Sequence, residues 1–251
     1  ITGTEMKPLP YMLSVVNLIT HDIEVPQIEN NDSLSREYNS IKQKDRVDII
    51  VANPPFGGVV GDGMETNFPM NYRTKESADL FLILFIQLLK DGGRAGIVLP
   101  DGSLTGEGVK ARVRQKLLED CNVHTIVRLP QSVFAPYATV NTNLVFFEKG
   151  KKTKDIWYYE HTLPEGYKAY SKTKPIRIEE FNEIKKWYKK PTEQENAWKV
   201  NIGIIIERGY DLDIKNPNKK VEEVSYNRKE IIENIKHNQT QINHLISELE
   251  Q

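Results

Sequence analysis

Four consecutive residues, Asn53, Pro54, Pro55 and Phe56, have the types needed to hold an amine that is a poor nucleophile. An exocyclic amine such as that of adenine has its lone pair delocalised into the ring. Two acceptors, the Asn53 side-chain oxygen and the Pro54 carbonyl, can take both of its N–H hydrogens. That favours a tetrahedral nitrogen whose lone pair points at an incoming methyl group. Pro55 stiffens the turn, and Phe56 offers a face on which a base can stack. A methyl carried on a sulfonium is already activated, so no strong base is needed before attack. Positioning and fixed dipoles then supply most of the rate. Asn and Pro are also ordinary residues for a turn that ends a strand. Position separates the two uses, because ligands of open α/β sheets bind outside the carboxyl ends of the strands.

The elements around this turn follow from apolar periodicity. Residues 47–52 read as a buried strand that Asn53 and the prolines stop. Residues 8–21 carry Leu9, Met12, Leu13, Val16, Leu18 and Ile19 at helical spacing, with prolines in the first turn. A short extended piece precedes Asn31-Asp32-Ser33-Leu34. A strongly apolar helix is predicted over 77–90, ended by Gly92-Gly93. A buried strand over 94–99 follows, closed by Pro100-Asp101-Gly102. A helix over 110–119 is basic on one side. Strands over 123–129 and 143–148 have no helical pattern between them, which fits an antiparallel hairpin at that edge. The alternation predicts an α/β fold with a mostly parallel sheet.

The texture changes after Gly150. Residues 149–154 are basic. Trp157-Tyr158-Tyr159 reads as a short aromatic strand, 178–189 as a helix and 200–217 as irregular. Beyond them, Val221, Val224, Ile231, Ile235, Ile242, Leu245 and Leu249 recur at spacings of three and four, interrupted by Arg228 and Asn238. That is a coiled-coil stripe, and its polar opposite face means it cannot be buried all round. The expected division is a core over 1–150, a peripheral α+β extension over 151–217 and a C-terminal helix over 218–251.

Composition narrows the class. The 251 residues are 39% hydrophobic, and the longest apolar run is too short to cross a bilayer. One cysteine, Cys121, allows neither a disulfide framework nor a cysteine zinc site. It fits a reducing, cytoplasmic setting. The five histidines have no metal-ligand spacing, so no metal is assigned. A net charge of −1 argues against DNA binding by this chain alone, but not against DNA as a substrate shared with a partner. Lys110, Arg112, Arg114 and Lys116 on one predicted helix, and Lys149, Lys151, Lys152 and Lys154 on a loop, are candidate phosphate contacts.

Several stretches together resemble a known family. They are Gly3-Thr4-Glu5 with Pro10-Tyr11 and Asn17-Leu18, then Asp48 through Gly58 across the Asn53 turn. Asp91-Gly92-Gly93-Arg94 through Pro100-Asp101-Gly102 and Val133-Phe134-Ala135-Pro136-Tyr137 complete the set. The Asn53–Phe56 stretch looks like motif IV of amino-methyltransferases that use S-adenosylmethionine. The combination resembles the modification (M) subunit of type I restriction–modification systems, closely over about 1–150 and more loosely beyond.

The resemblance implies a Rossmann-like methyltransferase sheet and methyl transfer to N6 of adenine in DNA, with the base flipped out of the duplex. It places Glu5 at the motif II acid, on the cofactor ribose hydroxyls. It places Asp32 at motif III, on the cofactor adenine, and Phe134 at motif VIII, stacking on the target base. It implies a specificity subunit, a second M subunit and a restriction subunit as partners, with the C-terminal helix packing on the specificity subunit. The glycine-rich motif I that should precede Glu5 is not in the sequence. An N-terminal part is therefore expected to be missing, and the chain alone to bind S-adenosylmethionine weakly and to be inactive. Gly57-Gly58 and Gly61-Asp62-Gly63 cannot replace it, because they follow the catalytic strand. Two other readings use the same residues: a glutamine or RNA amino-methyltransferase, and a non-catalytic assembly module with the same fold.

Overall fold

The computed structural model describes residues 1–219 and 228–249. In chain order they form β1 (Thr2–Thr4), α1 (Pro8–Ile19), β2 (Gln27–Glu29), β3 (Val47–Ala52), α2 (Ser77–Leu88) and β4 (Leu89–Pro100). Next come α3 (Asp101–Leu104), α4 (Val109–Asp120), β5 (Cys121–Arg128), β6 (Thr142–Lys149) and β7 (Asp155–Glu160). The described elements end with α5 (Asn182–Lys189), β8 (Ala197–Asn201), α6 (Ile202–Glu207) and α7 (Arg228–Leu249). Residues 1–218 form one compact unit, and 219–251 fall in a second.

The first unit is α/β, with two sheets. β1 and β2 pair in parallel on their own. The larger sheet has the order β3-β4-β6-β5-β7-β8. It is mixed rather than mostly parallel: β3–β4 and β5–β7 are parallel, while β6 runs antiparallel to both β4 and β5, and β8 to β7. The expected β5–β6 hairpin forms, but inside the sheet. β6 slots between β4 and β5, and β7 and β8 extend the far side. The sheet therefore runs across residue 150, and Ile156, Tyr158, Trp198 and Val200 belong to the main core. Residues 200–217, expected to be irregular, contain the end of β8 and all of α6.

α2 is the centre of that core. Leu80, Leu82, Ile83, Leu84 and Ile86 are buried all round the helix, each contributing about 1.5–3 kcal/mol relative to exposure. The helix ends at Leu88, short of the expected glycines. Leu89 already pairs with Val47 of β3, so a long-range strand contact takes the residue that helical periodicity assigned to α2. Gly92-Gly93 instead lies within β4, at an irregularity in its pairing with β3. Gly92 is left-handed, with φ of 78°. A Cβ on Gly93 would come within 2.8 Å of the Lys90 carbonyl oxygen. Glycine is thus required there by the bulge rather than by a helix end.

β3 is an edge strand. Ile50 is buried against the core, while Ile49 and Val51 on its other face are exposed, Val51 at 85%. α1 carries the expected apolar stripe, yet Leu9, Met12, Leu13, Val16 and Ile19 are all exposed. In the second unit, α7 runs 22 residues. Ile231, Ile232, Ile235, Ile242, Leu245 and Ile246 on it are exposed. The stripe positions Val221 and Val224 lie outside the described residues.

Candidate active site

The carboxyl ends of β3, β4 and β5 share one end of the sheet, and Asn53 and Phe134 gather there. Asn53 follows β3, Asp101 follows β4, and the loop after β5 carries Phe134. The Asn53 side chain is exposed and makes no hydrogen bond to the described residues. Its amide oxygen is therefore available as an acceptor. Pro54 is buried, which fixes the turn beneath it. Phe56 is half-buried and meets Phe134 edge to face, ring centroids 5.1 Å apart at 77°. Two aromatics separated by 78 positions in the chain thus flank the turn that carries the acceptors.

The turn is held from behind by the start of α2. Gly57 takes a left-handed φ of 63°, and the chain doubles back so that Val59 bridges Glu76. The Ser77 amide donates to the Gly58 carbonyl at 2.9 Å. The Ser77 hydroxyl donates to the Pro55 carbonyl at 3.3 Å. Ser77 is buried, and a Cβ on Gly58 would sit 2.9 Å from its Oγ. Sequence reading passed over Ser77. The usable signal was a polar residue at the head of an otherwise apolar helix.

Asp79 carries the same signal more strongly. It is almost fully buried inside that apolar helix. Its Oδ2 lies 3.4 Å from Lys110 Nζ, and Lys110 also donates to the Gly102 carbonyl at 3.0 Å. Burial pushes the Asp79 carboxyl above the usual range, opposed by Lys110 and Ser103. Beside it, Asn143 Nδ2 donates to Asp101 Oδ1 at 2.7 Å. Arg128 reaches Asp101 at 3.6 Å and Asp213 at 2.6 Å. These groups tie the start of α3 to α4, to the end of β5, to β6 and to Asp213.

Glu5 and Asp32 sit at the carboxyl ends of parallel β1 and β2. Glu5 Oε1 accepts the Lys7 N–H at 2.8 Å, and Asp32 Oδ1 accepts the Leu34 N–H at 2.9 Å, capping a short turn. Both are half-buried. Their placement at strand ends fits contact with a ligand, though the structure does not bring them against Asn53 through any direct bond. Among the described residues no cluster of three or more His, Cys, Asp or Glu could hold a metal.

The expected basic clusters are largely spent on structure. Arg114 is 1% exposed and donates to the carbonyls of Tyr210, Ser103, Thr105 and Gly106. Lys116 pairs with Asp120. Lys149 donates to the carbonyls of Ile86 and Leu89. Lys149, Lys151 and Lys152 also lie at the opposite end of the sheet from Asn53, because Lys149 faces Cys121 at the start of β5.

The N-6 DNA methylase family model matches residues 1–225. The chain belongs to that family. It is 48% identical over 257 residues to the methylase subunit of the type I restriction enzyme EcoEI from Escherichia coli, covering 99% of this chain and 52% of the relative. Among solved structures, a modification subunit from Vibrio vulnificus YJ016, ascribed to a type I restriction enzyme, superposes with a TM-score of 0.83. It is 44% identical, over 87% of this chain and 48% of that one. A chain from a structural study of type I restriction–modification complex assembly gives 0.81 at 37% identity, over 99% of this chain and 53% of that one. The chain spans about half the length of these relatives. No described helix is long and apolar enough to cross a membrane.

Proposed function

We propose that this chain forms the target-amine half of an adenine-N6 DNA methyltransferase and works as part of the M subunit of a type I restriction–modification complex. The Asn53 turn at the carboxyl end of β3, with Phe134 brought against Phe56, carries this reading. The flipped adenine would lie between the two aromatic side chains and the turn. Asn53 Oδ1 and the Pro54 carbonyl would accept its two N6 hydrogens, and Ser77 would hold the Pro55 carbonyl so that the turn keeps its shape. S-adenosylmethionine, when bound, supplies the activated methyl. A carboxylate suits a ribose diol, since it can accept from both hydroxyls, so Glu5 would bind there. Asp32 would bound the adenine of the cofactor.

The Asn53 turn lies on an open surface, with Asn53 and Pro55 exposed. The remaining wall of the site would come from the part of the longer subunit that this chain does not span. The exposed isoleucine and leucine stripe of α7 suits docking to a helix of another subunit, the specificity subunit in this reading. Removing 220–251 should abolish assembly and leave the first unit folded; an unchanged complex would contradict this. The direct test of the reaction is transfer of labelled methyl from S-adenosylmethionine to duplex DNA by the assembled complex, followed by nucleoside analysis. Label in N6-methyladenine is expected, and label in another base, or none in the duplex, would overturn the proposal.

A further inference from the structure

We propose that residues 168–177 form a phosphate-binding strap that seats the DNA backbone beside the target-base site. This rests on the reading of DNA as substrate given above and adds where the duplex is gripped. The stretch Lys168-Ala169-Tyr170-Ser171-Lys172-Thr173-Lys174-Pro175-Ile176-Arg177 holds four cations and no acid. All four are exposed. None forms an ion pair with a described carboxylate, unlike Lys110, Lys116 and Arg128. The nearest carboxylate at the strap's base, Glu180, accepts from the Tyr170 hydroxyl and the Arg177 backbone amide, so the four exposed side-chain cations have no ion-pair partner among the described residues, and a polyanion can supply one.

The strap has a fixed shape. Ser171 and Lys174 exchange backbone hydrogen bonds at 3.0 and 3.1 Å, so Lys172 and Thr173 form the tip of a tight turn. Lys174 Nζ lies 5.3 Å from the centre of the Tyr167 ring, which orients the cation without neutralising it. Tyr170 is the anchor, 2% exposed, with Ser171 and Ile176 half-buried and the rest of the strap exposed. Its hydroxyl donates to Glu180, and His161 Nε2 lies 3.2 Å from the same oxygen.

The anchor ties the strap to the site. The Tyr170 amide donates to Ser132 Oγ at 2.8 Å. Ser132 begins the turn that presents Phe134, since the Ala135 amide donates to the Ser132 carbonyl at 3.0 Å. On the same turn, Tyr137 is 88% exposed. A duplex whose base reached Phe134 would bring its backbone against this rim. Phosphate contacts fix register and orientation without reading sequence, which is a contribution this near-neutral chain can make from a local cluster of cations.

The test compares four versions of the assembled complex, the last with arginine in place of the strap lysines, by titrating a labelled duplex across a salt series. The first is the parent. The second carries Lys168→Gln, Lys172→Gln, Lys174→Gln and Arg177→Gln. The third carries Lys151→Gln and Lys152→Gln, at the other end of the sheet. Four phosphate contacts correspond to a slope of about −3.6 in log K against log[salt]. The strap variant should bind duplexes with and without the target site about tenfold or more weakly, with a shallower slope. The Lys151/Lys152 variant should keep the parent's slope. Replacing the three lysines by arginine instead should restore binding. An unchanged slope in the strap variant, or a loss that arginine does not restore, would overturn the strap. A parent complex that binds no DNA would overturn both the strap and the functional reading.

Discussion

Ser77 meets the Asn53 turn twice, once through its amide and once through its hydroxyl. Gly58 leaves the room for it, since a Cβ there would come within 2.9 Å of Ser77 Oγ. The two positions are therefore coupled. Gly58→Ala alone should cost about 1–3 kcal/mol of stability by displacing a packed side chain. In the Ser77→Gly background most of that cost should vanish, giving a coupling of roughly 0.5–3 kcal/mol in a double-mutant cycle. Additive effects in denaturant unfolding would show that the contact does not hold the turn. At this scale the sequence was informative where chemistry demanded rare neighbours. Asn53, Pro54, Pro55 and Phe56 stood out by residue type together with their place after a strand; Phe134 came from the family resemblance alone, and its ring packs on Phe56. Ser77 and Asp79 were not found, because a hydroxyl or carboxylate in an apolar helix declares its partner only when the fold supplies one.

Elements were legible where one period dominated. β3 was read with its observed ends, and α1 to within two residues. The errors came from long-range pairing. Leu89 left helical periodicity to pair with β3, and β7 and β8 joined a sheet that seemed complete by residue 150. Charge was misread for a similar reason. Arg114 looks like one of four cations on a solvated helix face, but α4 turns it inward onto four carbonyls. Those carbonyls belong to Ser103 in α3, to Thr105 and Gly106 just after it, and to Tyr210 beyond α6, so Arg114 ties α4 to both segments. Arg114→Ala should lower unfolding free energy by about 3–5 kcal/mol, because it leaves buried acceptors without a donor. Arg114→Lys should recover only part of this, having no planar fork. A loss below about 1 kcal/mol in urea unfolding would contradict the bracing role.

At the scale of the first unit, packing is tight in the large sheet and open along β3 and α1. Cys121 reports on the tight part. It is fully buried, and burial pushes its thiol up to about 12. At pH 8 only about one molecule in ten thousand would carry a thiolate. A disulfide reagent should therefore leave the native protein unmodified and label Cys121 only as denaturant unfolds it. Prompt labelling in buffer would show that the β5 end of the core opens easily. By contrast, Ile49 and Val51 of β3 and Leu9, Met12, Leu13, Val16 and Ile19 of α1 stay exposed in this chain.

In the proposed function, Asn53 supplies an acceptor for the reacting amine and little else. Its side chain is exposed and makes no hydrogen bond to the described residues, so removing it should leave stability within about 0.5 kcal/mol. The deciding measurement is single-turnover methylation of a duplex by the assembled complex carrying Asn53→Ala, beside its DNA affinity and its thermal unfolding. The expected result is methyl transfer slowed by about a hundredfold or more, with binding and unfolding like the parent's. Parental methylation by Asn53→Ala would contradict the account.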